Sequence, residues 1–197
     1  NTPSVFTVTP APDKVWVLNE DGALTAEDPL HTNTAGVDNK TFVPGQTIYA
    51  VVNGSVRANL GTALSSYVIT DDWSGAAGYI DFSDTSKAKV LLNGVDVTSQ
   101  FTITVSGNKT IATARAAFLT ATAGRATLGN VKLVIGGTFR NDYDTDGGKD
   151  RLVNAGSESW NGKTVASNSP AVYTVTPNPD KVWVLDETGA LAAFDPN

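Results

Sequence analysis

Asp13-Lys14-Val15-Trp16-Val17-Leu18 is the stretch that decides the reading of this chain. Lys14 to Leu18 is a strand: β-branched and aromatic residues follow one another, and Asn19-Glu20-Asp21-Gly22 ends the run. The same six letters return as residues 180–185. Around them the identity widens. Residues 1–30 and 168–197 agree at 21 of 30 positions without a gap, at an offset of 167. That period is far longer than a solenoid repeat and has the size of a domain. The expectation is a piece of a tandem array: residues 1–12 close one repeat, 13–177 form a domain, and 178–197 open the next. Thr176-Pro177-Asn178-Pro179 is a stiff extended connector, which suits a rod.

Composition agrees with a β-rich domain. Threonine and valine supply 47 of the 197 residues, and glycine and proline 27. The first pair favours pleated sheet and the second favours turns, so an all-β fold follows. The net charge of −6 gives no basic footprint for nucleic acid. No apolar run reaches the roughly 20 residues that span a bilayer, so no membrane insertion is expected. Cysteine is absent, which excludes disulfides, thiol catalysis and Cys-ligated zinc. The lone histidine, His31, reads as an exposed loop residue.

Further strands are expected at 41–43, 47–52, 67–70, 87–92, 101–105, 131–135 and 171–175. Phe101, Ile103 and Val105 alternate onto one face. Residues 111–122 are alanine-rich and predict one short helix. Short strands with turns between them predict a β-sandwich with one helical insertion.

The order of motifs then carries a resemblance. Lys14-Val15 is followed by Asp-Asn-Lys-Thr-Phe-Val-Pro-Gly at 38–45, Tyr49, Thr-Asp-Asp-Trp at 70–73, and Asn-Ser-Pro-Ala-Val at 168–172. This resembles the C-terminal adhesin domains of streptococcal antigen I/II, over about residues 13–177. Those belong to a wider class of Gram-positive surface domains with intramolecular isopeptide bonds. The resemblance implies an immunoglobulin-like sandwich of the DE-variant type. It implies Lys14 as nucleophile, Asn168 as acceptor, and Asp71 as the assisting acid, with Asp72 the alternative. It also implies an extracellular, cell-wall-anchored protein.

The chemistry stands without the family. Burial among apolar groups, here Trp16, Leu18 and Trp73, lowers a lysine pKa and frees the amine. Burial raises a carboxyl pKa and keeps an acid protonated. Attack on the amide carbon expels ammonia, once, with no turnover and no cofactor. On an alternating strand Asp71 shares a face with Tyr67 and Ile69, which favours it over Asp72. Lys14 opens the period and Asn168 closes it, so a bridge would carry a pull past the 153 residues between them. Such a crosslink stabilises by about 5 kcal/mol in the loop-entropy model. On this phasing Asn1 and Lys181 belong to neighbouring domains and stay unbonded, unless the tails exchange between chains.

A second motif lies at 141–150. Asp142, Asp144, Asp146 and Asp150 alternate around Gly147 like the first half of a calcium loop, so Ca²⁺ is a candidate ligand. Val153 stands where the twelfth-position Glu belongs, and the competing reading is a polar hairpin loop with Asx turns.

The function expected is mechanical: a stalk repeat of a surface adhesin, partnered by neighbouring repeats, with host or microbial ligands bound by other domains. The alternative is a glycan- or protein-binding module acting by avidity. A hydrolase using Asp71 and Asp72 is disfavoured because adjacent strand residues point to opposite faces.

Overall fold

The structure, a computed structural model, describes residues 7–26, 37–179, 181–186 and 188–189. Asn1 and His31 lie outside the described residues. In chain order the strands are β1 Asp13–Val17, β2 Thr41–Phe42, β3 Thr47–Val56, β4 Tyr67–Asp72, β5 Ile80–Asp81, β6 Ala88–Leu92, β7 Val95–Asp96, β8 Phe101–Ser106, β9 Lys109–Ala114, β10 Gly129–Phe139, β11 Asp150–Val153, β12 Ala155–Trp160, β13 Lys163–Ala166 and β14 Ala171–Thr174. Two short helices join them, α1 Glu20–Thr25 and α2 Ala116–Thr120. The protein is all-β.

One sheet runs β1-β3-β10-β6-β7, with β5 on the far end of β10. A second runs β13-β12-β4-β9-β8, and a small third runs β11-β14-β2. Every pairing is antiparallel except β14 with β2. The first two sheets face each other, with β3 against β4 and β1 against β12. Between them lies the main core, which includes Trp16, Ile48, Ala50 and Val52 from one side and Tyr67, Ile69 and Ala112 from the other.

β1 is buried along its whole length. Its even residues, Lys14 and Trp16, turn toward the sandwich interior. Its odd residues, Val15 and Val17, join Ala23, Val51, Leu91 and Val134 in a smaller cluster on the outer face. α1 covers that cluster. Its N-cap is Asn19, whose side chain accepts from Gly22 N at 2.8 Å. Lys132, nearly buried, donates to the carbonyls of Ala23, Leu24 and Ala26 at 2.9–3.1 Å and closes the other end.

Two expectations need correcting. The alanine-rich run at 111–122 is not one helix. β9 takes Ile111 to Ala114, because Ala112 fills the core between Ile69 of β4 and Ile103 of β8, and only 116–120 are helical. Tertiary pairing overrides alanine's helix propensity. Leu18, expected to shelter Lys14, is 56% exposed, one residue beyond the strand.

Candidate functional site

β1 and β4 belong to opposite sheets, and their inward side chains meet. Lys14 and Asp71 are both fully buried, and Nζ of Lys14 pairs directly with Oδ1 of Asp71. The register explains the reach. Lys14 pairs with Val52 in one sheet, and Asp71 pairs with Gly156 and Thr110 in the other. At Gly156 there is no side chain to hold the sheets apart.

A third polar group completes the cluster. Asn154 sits between β11 and β12, fully buried, and its Nδ2 lies 3.5 Å from Oδ2 of Asp71. Its Oδ1 has no hydrogen-bond partner among the described residues. The backbone NH of Asn154 donates to Pro170 O at 3.3 Å, and Trp16 Nε1 donates to the same carbonyl at 3.3 Å. Trp16 and Trp73 flank Phe82, at ring separations of 6.0 and 6.1 Å.

Burial sets the electrostatics. Desolvation lowers the Lys14 pKa, and the attraction of Asp71 only partly offsets this. Desolvation raises the Asp71 carboxyl, again against the pull of Lys14. Both shifts favour the same neutral pair, a free amine beside a protonated acid. A buried ion pair with few further hydrogen bonds is expensive, and moving the proton relieves that cost.

Asp72 points the other way. Its side chain is partly exposed, pairs with Lys109 at 2.6 Å, and accepts from the Ser74 hydroxyl. Desolvation is the largest single influence there, but the hydrogen bonds of Lys109 and Ser74 together outweigh it and hold the carboxyl below the ordinary value. Asp71 and Asp72 therefore do not form a two-carboxylate site.

The acceptor expected from the sequence is Asn168. The structure brings Asn168 to Lys14, but to its backbone. Lys14 N donates to Asn168 Oδ1 at 2.6 Å, and Asn168 Nδ2 donates to Lys14 O at 2.8 Å. The side-chain amide acts as a short surrogate strand on the open edge of β1. Within the buried cluster the amide is that of Asn154. The sequence did carry a signal for it: one Asn inside Leu152-Val153-Asn154-Ala155-Gly156, a run of apolar and small residues.

Three of the four aspartates of the calcium expectation are taken up by neighbours rather than by one another. Asp142 is held by Arg140, Asp144 accepts from Thr176 Oγ1 at 2.8 Å and from the Asp146 backbone at 3.0 Å, and Asp150 accepts from Tyr79 at 2.8 Å. The carboxylates of Asp142, Asp144 and Asp150 thus go to three separate partners. Among the described residues no three His, Cys, Asp or Glu side chains gather as a metal site.

A further buried group escaped the sequence reading. Glu158 on β12 is fully buried and accepts from the Tyr67 hydroxyl and from Ser55 N, both at 2.7 Å. Desolvation raises its pKa from the ordinary 4.5.

No family model matches the chain, and no curated protein matches it. Solved structures do. The C-terminal domain of the Streptococcus agalactiae antigen I/II polypeptide BspA superposes with a TM-score of 0.64 at 17% identity, covering 84% of this chain and 50% of that one. The C-terminal domain of the Streptococcus pyogenes antigen I/II-family protein AspA gives 0.64 at 15% identity, covering 83% and 46%. BcpA, the major pilin subunit of Bacillus cereus, gives 0.57 at 14% identity, covering 84% and 40%. The chain thus spans half or less of each of these structures, and what it shares with them is a fold.

Proposed function

We propose that this domain is a structural repeat of a Gram-positive surface adhesin, extracellular and wall-anchored, held shut by an amide bond between Lys14 Nζ and Asn154 Cγ. The observation that supports it is the fully buried Lys14–Asp71 pair with the Asn154 amide on the second carboxylate oxygen. The adhesin and pilin structures named above share the fold that such a role uses.

The chemistry uses only these three side chains. The Lys14 ammonium passes a proton to Asp71 and becomes a nucleophile. The amine attacks Asn154 Cγ, and a C–N bond forms. Asp71 faces Nδ2, the nitrogen that must leave, and returns a proton to it. The old C–N bond breaks and ammonia departs. Two protons come off the lysine nitrogen in all: one leaves with the ammonia and the other stays on Asp71. The bond forms once per molecule, so the domain is not an enzyme in the turnover sense.

A bridge here joins the first strand of one sheet to the entry of β12 in the other. Force applied along the chain then meets a covalent tie between sheets rather than hydrogen bonds alone. The decisive experiment is the intact mass of the folded protein under denaturing conditions. The expected value is short by about 17 Da, one ammonia. Peptide mapping should join Lys14 to Asn154. Asp71→Ala and Asn154→Ala should restore the full mass, whereas Asn168→Ala should keep the deficit. A full mass in the unaltered protein sinks the proposal.

A further inference from the structure

The chain enters and leaves this domain through nearly the same six residues. Residues 7–12 read Thr-Val-Thr-Pro-Ala-Pro, and residues 174–179 read Thr-Val-Thr-Pro-Asn-Pro. The domain grips a different half of the phrase at each end. At the exit it holds the first half. Thr174 is fully buried in β14, Thr176 exchanges hydrogen bonds with Thr145 at 3.1 Å, and Thr176 Oγ1 donates to Asp144 Oδ1 at 2.8 Å. The amide of Asn178 then packs against Gly147. At the entrance the domain holds the second half, with Pro10 and Pro12 buried. Pro10 is the counterpart of Pro177, which directly follows Thr176. In a tandem array no free residue separates the two grips, so consecutive repeats must touch.

The two ends carry unlike surfaces, and β10 runs from one to the other. Beside its start, a cavity of about 190 Å³ is lined by Ala11, Asp13, Asn53, Arg57 and Lys132 among others. Asn53 is only 7% exposed, and its Oδ1 has no hydrogen-bond partner among the described residues. Nε of Arg57 likewise has none. The neighbouring charges are engaged elsewhere. Asp13 accepts from Asn53 Nδ2, Lys132 serves the carbonyls at the end of α1, and Glu158 accepts from Tyr67 and Ser55. Beyond the far end of β10 lies the loop at 141–148. Its Asp146 is exposed in a left-handed turn, with φ 49°, and its carboxylate takes no hydrogen bond among the described residues.

We infer that the loop at 144–148 of one repeat seats on the Asn53–Arg57 cavity of the next. Asp146 pairs with Arg57, and a backbone NH of the loop meets Asn53 Oδ1. A single connector position joins the two surfaces: Ala11 lines the cavity, and its counterpart Asn178 touches Gly147. The occupant is therefore a second copy of this domain, placed just before it in the same chain. Opposite ends of β10 make the contact head to tail and open-ended, which is what an array needs. An anion on the loop facing an unpaired guanidinium nitrogen in the cavity fixes the register of the joint. The inference rests on the tandem-stalk reading and turns its connector into a stiff joint, but it does not depend on the amide bond.

The test is a chain that carries the domain twice, the second Asp13 following the first Pro179. The sequence has no cysteine, so a Lys163→Cys substitution on exposed β13 of each copy places one spin label per repeat. The distances between labels should form a single narrow peak. Asp146→Asn in the first copy, or Arg57→Gln in the second, should abolish that peak in favour of a broad distribution. The two together should do no more than either alone, because both remove the same pair. A broad distribution in the unaltered tandem overturns the interface. So does a narrow peak that neither substitution alters, since the connector alone then stiffens the joint. Should Arg57→Gln fail to fold, Asp146→Asn decides by itself: it lies on an exposed turn, and asparagine tolerates that backbone. Intact mass of the same samples reads the crosslink separately. A full mass with a narrow peak that Asp146→Asn abolishes keeps the interface and overturns the crosslink. A loss of about 17 Da per repeat with a broad distribution keeps the crosslink and overturns the interface.

Discussion

Gly156 and Val52 touch across the two sheets at the one level where Lys14 must reach Asp71. A Cβ on Gly156 would lie 2.9 Å from Val52 Cγ2 and 3.0 Å from Cγ1, and Gly156 and Val52 are the strand partners of Asp71 and Lys14. The close approach of the backbones is therefore what lets a lysine from one sheet meet a carboxylate of the other. Gly156→Ala should spread the sheets at this point. Overpacking of this kind costs about 1–3 kcal/mol. Urea denaturation should report that loss, and intact mass should show that a fraction of the Gly156→Ala chains never lose ammonia.

The two asparagines near Lys14 should separate cleanly. Asn154→Ala removes the proposed bond, which in the loop-entropy model contributes about 5 kcal/mol for a loop of this length. Asn168→Ala leaves the bond but strips the edge of β1 of the partners for Lys14 N and O. Unmet backbone groups there cost about 1–3 kcal/mol. Thermal unfolding should thus rank the unaltered protein above Asn168→Ala, and Asn168→Ala above Asn154→Ala. The reverse order would assign the main tie to Asn168.

Much of this is legible in the sequence. The strands at 14–18, 47–52, 67–70 and 101–105 announce themselves by β-branched runs or by alternation, and all are strands in the fold. Asp71 could be preferred to Asp72 from alternation alone, and the structure places Asp71 inside and Asp72 against Lys109. What was hidden depends on long-range partners. β12 reads as Ala-Gly-Ser-Glu-Ser-Trp, small and polar, and becomes a central strand because β4 and β13 flank it. Asn154 precedes that strand and shares its invisibility. Asn168 is implied by the resemblance and closes the repeat period, and it does lie beside Lys14, but nothing in a linear spacing distinguishes a contact with Nζ from a contact with backbone. The aspartates at 142–150 show the converse case. Their spacing suits a cation, while Arg140, Thr176 and Tyr79, distant or unremarked in the sequence, claim oxygens of Asp142, Asp144 and Asp150.

Lys132 offers a separate test of how β1 is covered. Its ammonium is nearly buried and serves three carbonyls at the end of α1. Lys132→Met keeps the aliphatic stem and removes the donors. Hydrogen bonds to a charged group are worth about 1.5–3 kcal/mol, and the carbonyls lie at a helix end where a cation is favoured. Hydrogen exchange in α1 should speed up in Lys132→Met, with the amides of β4 and β9 unchanged. Equal acceleration across the sandwich would mean that Lys132 supports the whole core rather than the cover over Val15 and Val17.

Glu158 makes the stability of the domain depend on pH, and the sign can be worked out. Desolvation raises its carboxyl above the ordinary 4.5, against the pull of the Ser55 and Tyr67 hydrogen bonds. Between 4.5 and that raised value, the folded protein holds a proton that the unfolded chain has released. Where the folded state binds more protons, stability falls as pH rises. The unaltered protein should therefore lose stability on going up through that window. Asp71, also raised by burial, bends the curve in the same direction, so the measurement must be a difference. Glu158→Gln retains an oxygen to accept from Ser55 N and the Tyr67 hydroxyl but does not titrate. Urea midpoints taken across the acid and neutral range should converge with those of the unaltered protein at low pH. They should exceed the unaltered protein increasingly as pH rises. At higher pH Tyr67 adds a second arm of the same sign, because burial and then Glu158 raise its hydroxyl well above 10. Glu158→Gln should shrink that arm as well, since it removes the neighbouring charge. Parallel curves for the two proteins across the acid range would show that Glu158 does not titrate differently in the folded state, and would refute the buried-carboxyl account.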